Sequence, residues 1–556
     1  MDQSNLSFET RCISALEKVF ADEALQADTC THGTALIGET YSFQIAFRAQ
    51  RTIKLMKLRI ESSLDASLFI RSVGLVPSEL PCYTEHDDNV LRTTPGLYPD
   101  PLYPVEDAPP VALARQWRSI WVGVKLPEDI GPGTYPVGIV FEDEQGAVLG
   151  GETFTLEVLP AKLQPQRLIH TEWFHADCLA VQYGVEAFSE AHWTLIDAYV
   201  RKAVEYGMNM ILTPLFTPPL DTAIGGERPT VQLVDVEQLV DGLYRFSFDK
   251  LLRWIALCSE AGVQYFEFSQ LFTQWGAKHA PKIMATTPEG MVRIFGWDTD
   301  AAGPEYAGFL EQLLPELTRL LDEHGLRERS CFHLSDEPSA QHLYSYRAAA
   351  AVALKHLEGF TVLDALSDYS FYEQGLVRKP VPAVDHLDAF LERGVPDLWT
   401  YYCCAQSREV ANRFFNMPSA RNRILGIQLY KYQITGFLHW GYNFWFSQYS
   451  KVPVDPFRVT DAGLAFPSGD PFLVYPGPDG PIESIRLLVL HDALQDLRAL
   501  QQLERLVGRE RVLELLEEDM EEELTLKQYP RDPKWLLDKR ERVNRLIAEQ
   551  SMLLSE

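Results

Sequence analysis

Two adjacent carboxylates, Asp336 and Glu337, are the residues of this sequence best placed to do chemistry. They lie where a short apolar stretch, 331–334, gives way to a helical pattern that follows Pro338. If the apolar stretch is a strand of a parallel barrel, both acids stand on the rim where barrel enzymes keep their catalytic residues. The simpler interpretation is that two acids before a helix complement its dipole and bind its free N–H groups. The rest of the chain favours the catalytic interpretation.

The region that must position these acids alternates short apolar strands with amphipathic helices, which is typical of βα units. Strands are predicted at 168–175, 208–214, 264–270, 330–336, 361–367, 383–390, 397–404 and 435–445. Eight is the number of strands that a closed barrel requires. We therefore predict a (β/α)8, TIM-like catalytic barrel over residues 166–446.

The barrel is flanked by two regions of different character, as expected for a chain too long for one core. Residues 1–165 show alternating apolar strands separated by Pro/Gly turns, which predicts a β-sandwich. Residues 447–556 are loop-rich and then helical, with apolar stripes that predict packing on the barrel.

Charge and cysteine usage limit the partners of the protein. With 50 basic and 78 acidic residues, the net charge of −28 repels phosphate backbones, so we expect neither nucleic acid nor an anionic membrane as a partner. The sequence has no run of about 18 apolar residues and no signal-like start, which favours a cytoplasmic location. The eight cysteines lack metal-ligand spacing, and Cys403 and Cys404 are interpreted as small core residues. No phosphate-binding or nucleotide-binding glycine motif occurs in a suitable context, so no cofactor and no metal is predicted.

Several stretches occur in a characteristic order along nearly the whole chain. They are 16–20, the proline-rich loop 95–102, Ser335-Asp336-Glu337-Pro338, the aromatic segment 436–445, and the tail stretches 475–477, 484–487 and 492–497. Together they resemble the family catalogued as domain of unknown function number 4091, which is related to glycoside hydrolase family 123. The sequence departs from the family at His491-Asp492-Ala493, where an Arg-Asp-Gly-type turn is usual.

The resemblance implies a β-sandwich followed by a (β/α)8 barrel that removes terminal β-linked N-acetylhexosamine, especially N-acetylgalactosamine. The paired acids of the family map onto Asp336 and Glu337. Adjacent carboxyls cannot flank a bond as the nucleophile and acid of an ordinary retaining glycosidase do, whereas a substrate-assisted mechanism removes that requirement. Glu337 then protonates the leaving oxygen, and Asp336 remains an anion that orients the acetamido group.

A pocket for the acetamido sugar needs flat apolar walls and a few polar groups, and residues near the strand ends could supply them. The candidates for binding the carbohydrate substrate are Trp399, Tyr401, Tyr402, Trp440, Asn443, Trp445, His175 and Asp368. Side chains along a barrel strand point alternately to the lumen and to the surrounding helices. One of Tyr401 and Tyr402 therefore faces inward, and Trp399 faces the same way as Tyr401.

Two other functions stay open at this point. One is a direct-displacement retaining glycosidase that uses Glu337 with a second acid, Glu267 or Glu172, and accepts sugars without an acetamido group. The other is a non-catalytic carbohydrate-binding protein on the same scaffold, because a fold does not fix a function. The sequence predicts neither an oligomeric state nor the configuration of the sugar at C4.

Overall fold

The N-terminal region is a sandwich of two β-sheets in the computed structural model, which describes residues 8–64 and 67–554. Its strands are β1 (Phe8–Ser14), β2 (His32–Ile37), β3 (Thr40–Ala49), β4 (Lys57–Ser62), β5 (Leu68–Ser78), β6 (Gly96–Pro104), β7 (Arg118–Lys125), β8 (Gly133–Glu142) and β9 (Val148–Lys162). One sheet contains β1-β3-β7-β5-β6 and the other β2-β9-β8-β4. Phe43 of β3 stacks on Phe154 of β9 with 4.4 Å between ring centroids, so the inward apolar residues of both sheets share one core.

The central region is a parallel barrel with helices around it. Its strands are β10 (Ile169–Glu172), β11 (Met210–Thr213), β12 (Asp235–Gln238), β13 (Tyr244–Ser247), β14 (Tyr265–Phe268), β15 (Ile283–Thr287), β16 (Gly290–Phe295), β17 (Ser330–His333), β18 (Thr361–Ala365), β19 (Lys379–Val381), β20 (Trp399–Tyr401) and β21 (Gly436–His439). Its helices are α1 (Ala176–Tyr183), α2 (Glu190–Glu205), α3 (Asp249–Ala261), α4 (Pro304–Glu323), α5 (Leu343–Leu354), α6 (Ser370–Glu373), α7 (Asp388–Leu391), α8 (Ser419–Arg423) and α9 (Leu425–Lys431).

Within the described residues, eight of these strands form the barrel in the order β19-β18-β17-β14-β11-β10-β21-β20. The barrel is nearly closed, because the backbone N–H of Tyr401 on β20 donates to the carbonyl of Pro382 just after β19 at 3.2 Å. The strands β13-β12-β15-β16 form a separate small sheet. The structure therefore confirms the predicted β-sandwich and TIM-like barrel, and it places the ends of β17 and β20 on the same rim.

The predicted sixth strand, 383–390, is wrong. The barrel strand at this place is β19, and the predicted segment forms a short helical turn at Val384–His386 followed by α7. Val384, Leu387 and Phe390 are all buried, and their spacing of three residues is helical rather than extended. The strand β19 was not predicted because Val381 has a proline on each side, and proline has no N–H to donate within a sheet.

The predicted eighth strand, 435–445, is correct only in its first half. The strand β21 ends at His439, and the chain then turns so that Asn443 bridges Phe472. Gly441 allows this turn, since a Cβ atom there would lie 2.4 Å from the carbonyl oxygen of Pro471. The aromatic residues after the turn consequently leave the barrel wall.

The C-terminal region contacts both other regions. It contains β22 (Tyr475–Gly477), β23 (Gly480–Ser484), α10 (Ile485–Val507), α11 (Arg509–Glu517) and α12 (Pro533–Leu553). The strand β23 pairs with β6 and so extends a sheet of the sandwich. The helix α10 packs on α8 and α9 beside the barrel, and α12 packs on α10 and on β9 and β2. The C-terminal helices therefore pack on the barrel as predicted and also cover the sandwich.

Among the helices in the described part of the chain, none is long and apolar enough to cross a membrane.

Candidate active site

The acid pair directly follows β17 and is held from both sides by backbone hydrogen bonds. The carbonyl of Asp336 accepts the N–H of Trp275 at 2.9 Å, and the N–H of Glu337 donates to the carbonyl of Ala365 at 2.9 Å. Just before the pair, the hydroxyl of Ser335 donates to the carbonyl of Thr273 at 2.9 Å. Because these partners come from the segment after β14 and from the last residue of β18, the two neighbouring strands fix the position of the acids.

Glu337 has a left-handed backbone, with φ of +44°. This region is costly for a residue with a large side chain, and such strain is concentrated at functional sites. The acids do not cap the following helix. Ser339 forms a capping box with His342, and α5 begins only at Leu343. The capping interpretation therefore does not account for the conformation of Glu337.

The Glu337 side chain receives a hydrogen bond from the barrel strand β20. The hydroxyl of Tyr401 donates to Oε1 of Glu337 at 2.6 Å. Tyr401 is buried, at 7% exposure, whereas Glu337 is exposed at the pocket. The carboxyl group of Glu337 is thus oriented from one side and open to a substrate on the other.

A buried network of hydrogen bonds around His333 lies beneath the acid pair and includes a positive charge. Nδ1 of His333 is 2.9 Å from Oε1 of Glu267, and its Nε2 is 3.1 Å from Oδ1 of Asp364. Burial alone lowers the pKa of His333, but the hydrogen bonds with Asp364 and Glu267 outweigh it and raise the pKa to about 10. His333 is therefore an imidazolium at neutral pH. Glu267 also accepts Nε1 of Trp173 at 3.0 Å, which joins the network to β10.

The surroundings of Asp336 displace its pKa. Burial and the charge of Glu337 raise the pKa of Asp336 well above its ordinary value, although the cation of His333 opposes the rise. The sequence analysis expected Asp336 to be an anion. Without substrate, the pKa of Asp336 is instead raised, because Asp336 is the more buried of the two acids.

The acids open into a pocket of about 210 Å³. Its buried floor is apolar and includes Trp173, Leu438 and Ala365. The remaining wall consists of Leu220, Asp221, Gln274, Trp275, Tyr401, Cys403, Cys404, Trp440, Gln448, Tyr449 and Phe466. Apolar floors with a few convergent polar groups are typical of small-molecule sites.

Two aromatic residues form the edge of the pocket, and we call this pair, Trp275 and Tyr449, the aromatic rim. Their rings are perpendicular with centroids 6.0 Å apart, and Trp275 is 37% exposed. Both have left-handed backbones, with φ of 56° and 61°. Asp221 holds the second of them, because its Oδ2 accepts the N–H of Tyr449 at 2.9 Å. Burial raises the pKa of Asp221 to about 6, although the bond from Tyr449 opposes the rise.

Of the predicted sugar-binding residues, the structure brings Tyr401 and Trp440 to the pocket with the two acids. Trp440 is half-buried, and its Nε1 donates to Asp470 at 3.0 Å. Trp399 faces the same way as Tyr401 but lies within the barrel, against Gly436. Tyr402 faces the other way, where its ring contacts His439 at a centroid distance of 5.4 Å.

The other four candidates lie away from the pocket wall. Trp445 is buried, and its Nε1 donates to the carbonyl of Val474 at 3.3 Å. Asn443 bonds both backbone groups of His175, at 2.9 and 3.1 Å, and so joins the segment that follows β21 to the segment that follows β10. Asp368 accepts the N–H and the hydroxyl of Ser370 at the start of α6. These contacts are structural.

The sequence analysis missed Trp173, Asp221 and the aromatic rim. Trp173 directly follows β10, and alternation from Thr171 could have placed it on the face of the barrel interior. Asp221, Trp275 and Tyr449 lie in long loops without periodicity, and nothing in their sequence separates them from ordinary loop residues.

The two other acids considered as nucleophiles are both buried and bonded within the protein. Glu172 forms two 2.8 Å bonds with the guanidinium of Arg413, and this charge holds the pKa of Glu172 well below its usual range despite burial. Glu267 bonds Trp173, Thr171 and His333. Neither residue lines the pocket. Among residues 8–64 and 67–554, no group of three His, Cys, Asp or Glu side chains is arranged to hold a metal ion.

A carboxyl pair on the carboxyl-terminal rim of a parallel barrel, in an aromatic pocket about the size of one sugar ring, defines a glycosidase site. The sequence profile described as "Glycoside hydrolase 123, catalytic domain" matches residues 173–503. The chain therefore belongs to glycoside hydrolase family 123. No curated protein sequence matches it.

A solved family 123 structure resembles this chain over nearly its whole length. It is that of a family 123 glycoside hydrolase from Clostridium perfringens, described for glycolipid glycan hydrolysis, with a TM-score of 0.76 and 15% sequence identity over 99% of this chain and 100% of that chain. A family 5 mannosidase from Rhizomucor miehei has a TM-score of only 0.31, at 11% identity over 60% of this chain and 94% of that chain. The first similarity agrees with the sandwich, barrel and helices described above, and the second is too low to support any conclusion.

Proposed function

We propose that this glycosidase removes terminal β-linked N-acetylhexosamine, with N-acetylgalactosamine as the first choice, by substrate-assisted retaining catalysis. The observation that carries the proposal is the adjacency of Asp336 and Glu337 on the pocket wall, while Glu172 and Glu267 are engaged elsewhere. The similar Clostridium enzyme is described as hydrolysing glycolipid glycans, which supports a glycan substrate here. We also propose that the chain is related to the family catalogued as domain of unknown function number 4091.

In this mechanism the sugar supplies its own nucleophile. The acetamido oxygen attacks the anomeric carbon, the glycosidic C–O bond breaks, and the proton of Glu337 passes to the leaving oxygen. Water then opens the resulting oxazoline, with Glu337 as the base that takes its proton. The sugar is released with its original anomeric configuration.

Asp336 provides the electrostatic part of the mechanism. Its carboxylate accepts the acetamido N–H, orients the group and stabilises the positive charge that develops on it. A hydrogen bond to the charged form of a carboxyl lowers its pKa. Binding of the acetamido N–H therefore lowers the pKa of Asp336 and favours the carboxylate form that the first step requires of this residue.

Aryl glycosides test the substrate and the roles together. We expect hydrolysis of an aryl β-N-acetylgalactosaminide but not of the corresponding β-galactoside, which has no acetamido group. Glu337→Gln should spare activated aryl substrates more than poor leaving groups. Asp336→Asn should slow both by at least about a hundredfold. Rapid hydrolysis of the plain galactoside, or near-normal turnover by Asp336→Asn, contradicts the proposal.

A direct-displacement mechanism is the second candidate, because the pocket wall carries a further carboxylate, Asp221. Intact-mass spectrometry after incubation with a 2-fluoro sugar separates the two mechanisms. Direct displacement leaves a covalent glycosyl-enzyme, whereas substrate assistance leaves none and is competitively inhibited by a thiazoline analogue of the oxazoline. A stable adduct on Asp221 or Glu337 would overturn substrate assistance.

A further inference from the structure

Two neighbouring cysteines, Cys403 and Cys404, line the same pocket as Glu337. Neighbouring side chains in a strand point to opposite faces. Here β20 ends at Tyr401 and the chain turns at Cys404, and both cysteines line one pocket. Both are free and half-buried. Cys403 also packs against the apolar cluster inside the barrel, so the interpretation as core filling holds for that residue in part, while both cysteines in addition line the pocket.

The backbone of Cys403 is fixed by its own loop. Its N–H donates to Oε1 of Gln406 at 2.9 Å, and its Sγ lies 3.3 Å from the same oxygen. Its carbonyl accepts Nδ2 of Asn412 at 2.9 Å. Consecutive Cα atoms are about 3.8 Å apart, so the two thiol side chains start from neighbouring positions on this turn.

The thiols also interact with each other. The hydrogen bond with the Cys404 thiol, followed by burial and the negative charge of Glu337, raises the pKa of Cys403 well above its ordinary value. A thiol is a poor nucleophile compared with a thiolate. A raised pKa lowers the thiolate fraction of Cys403, whereas a ligand that binds both sulfurs at once gains from the second bond.

We propose that Cys403 and Cys404 form a vicinal dithiol site for monosubstituted trivalent arsenicals, a class of soft, thiol-seeking ligand. Soft ions select sulfur donors. A monosubstituted arsenical needs two sulfur donors and no more, since its third valence holds carbon. The part of the chain that the structure describes offers no third donor residue that would make this a metal site.

The reaction is a condensation without a redox step. Both S–H bonds and the As–O bond of an arsine oxide break, two As–S bonds form, and the oxygen leaves as water with the two protons. Arsenic remains trivalent, so no oxidant or reductant is needed. The organic group on arsenic then lies in the 210 Å³ pocket, where it competes with a sugar.

Phenylarsine oxide tests the site by mass, independently of any glycosidase activity. We expect one phenylarsenic group per native chain, mapped to the peptide that contains both cysteines. The single variants Cys403→Ser and Cys404→Ser should each bind phenylarsine oxide about a hundredfold more weakly. Each variant has only one thiol at the site, so the second, intramolecular As–S bond cannot form. Cys30→Ser, which removes a half-buried thiol of the sandwich, should bind as the original protein does.

Reversal distinguishes a two-sulfur adduct from a single bond. The dithiol 2,3-dimercaptopropanol should release the arsenical, whereas an equal concentration of thiol groups from a monothiol should not. If one serine variant fails to fold, the other variant and the mapping of the original protein still decide the matter. No adduct on the native protein, an adduct mapped elsewhere, or full binding by both variants would overturn the proposal. Because the readout is mass, a failure here leaves the proposed glycosidase function unaffected.

Discussion

At the scale of single residues, the contact between Tyr401 and Glu337 has the clearest consequence for catalysis. The phenol is the group that orients the carboxyl, at 2.6 Å. We expect Tyr401→Phe to lower kcat about tenfold, which corresponds to the net value of one hydrogen bond. The effect on KM should be smaller, since the phenol of Tyr401 bonds the carboxyl of Glu337 rather than the substrate.

The next residue provides a matched control for this variant. Tyr402 has the same chemistry but faces His439, outside the pocket. Steady-state kinetics of Tyr402→Phe should therefore remain within about twofold of the original protein. Equal losses in both variants would mean that removal of either phenol disturbs the strand rather than the acid.

His333 acts at the scale of the strands, because it joins β14, β17 and the neighbouring β18 through Glu267 and Asp364. Its pKa is about 10 in the folded protein and 6.5 as an ordinary histidine. The folded state therefore binds a proton that the unfolded state loses above pH 6.5. The resulting stability is fully present below pH 6.5 and is lost as the pH rises through 10.

We predict that His333→Gln is less stable than the original protein and that the difference shrinks between pH 6.5 and 10. Chemical denaturation at several pH values measures the difference in free energy of unfolding, which should change by up to about 5 kcal/mol. A difference that does not vary with pH would contradict a protonated His333. Leaving two buried carboxylates without their cation is the physical reason for the loss.

The loops that carry the aromatic rim lead to a separate prediction. Trp275 is partly exposed at the pocket edge, so it is positioned to contact what protrudes from the pocket rather than the terminal sugar. In a Glu337→Gln background, Trp275→Ala should weaken binding of an oligosaccharide about tenfold, or about 1.4 kcal/mol. Binding of free N-acetylgalactosamine should remain within about twofold.

Calorimetry with both ligands measures these affinities. Met291→Ala on β16, another exposed apolar residue, is the control for a general surface effect. Equal weakening of both ligands by Trp275→Ala would place this ring against the terminal sugar.

At the scale of the whole molecule, a buried charge cluster joins the three regions. Arg540 of α12 bonds Glu39 beside β3 and Asp496 of α10, and Arg423 of α8 bonds Asp496 and approaches Asp492 at 3.9 Å. Three carboxylates thus share two guanidinium groups. Burial raises the pKa of Asp492 to about 7, with Asp496 adding to the rise and Arg423 opposing it.

A raised carboxyl pKa costs stability when the proton is lost. The folded state retains the proton of Asp492 between about pH 3.8 and 7, whereas the unfolded state releases it, so stability falls as the pH rises through this window. We predict that Asp492→Asn gains stability relative to the original protein between pH 4 and 8, by up to about 4 kcal/mol. Denaturation curves at both pH values check this, with the exposed Asp88→Asn as the control. A pH-independent difference would contradict it.

The sequence predicts the parts of this molecule that have periodicity. The β17 strand and the acid pair after it are recognisable because an apolar run meets polar residues at a fixed place, and Tyr401 follows from alternation along β20. The aromatic rim lies in left-handed loop segments, whose positions depend on contacts such as that between Asp221 and Tyr449. Asn443 and Trp445 were misplaced because the turn at Gly441 depends on the distant Pro471.

The pairing of β23 with β6 determines the order in which the protein can be completed during synthesis. On the ribosome, the first sandwich emerges early, but the partner of its β6 edge follows only after the entire barrel has been translated. Until then β6 presents unpaired backbone groups, which are a template for wrong pairing with another chain. Pro101, which lies opposite Ser484 in the finished sheet, lacks an N–H that such pairing could use. The proline in this strand thus protects the nascent chain from wrong pairing until β23 has been synthesised.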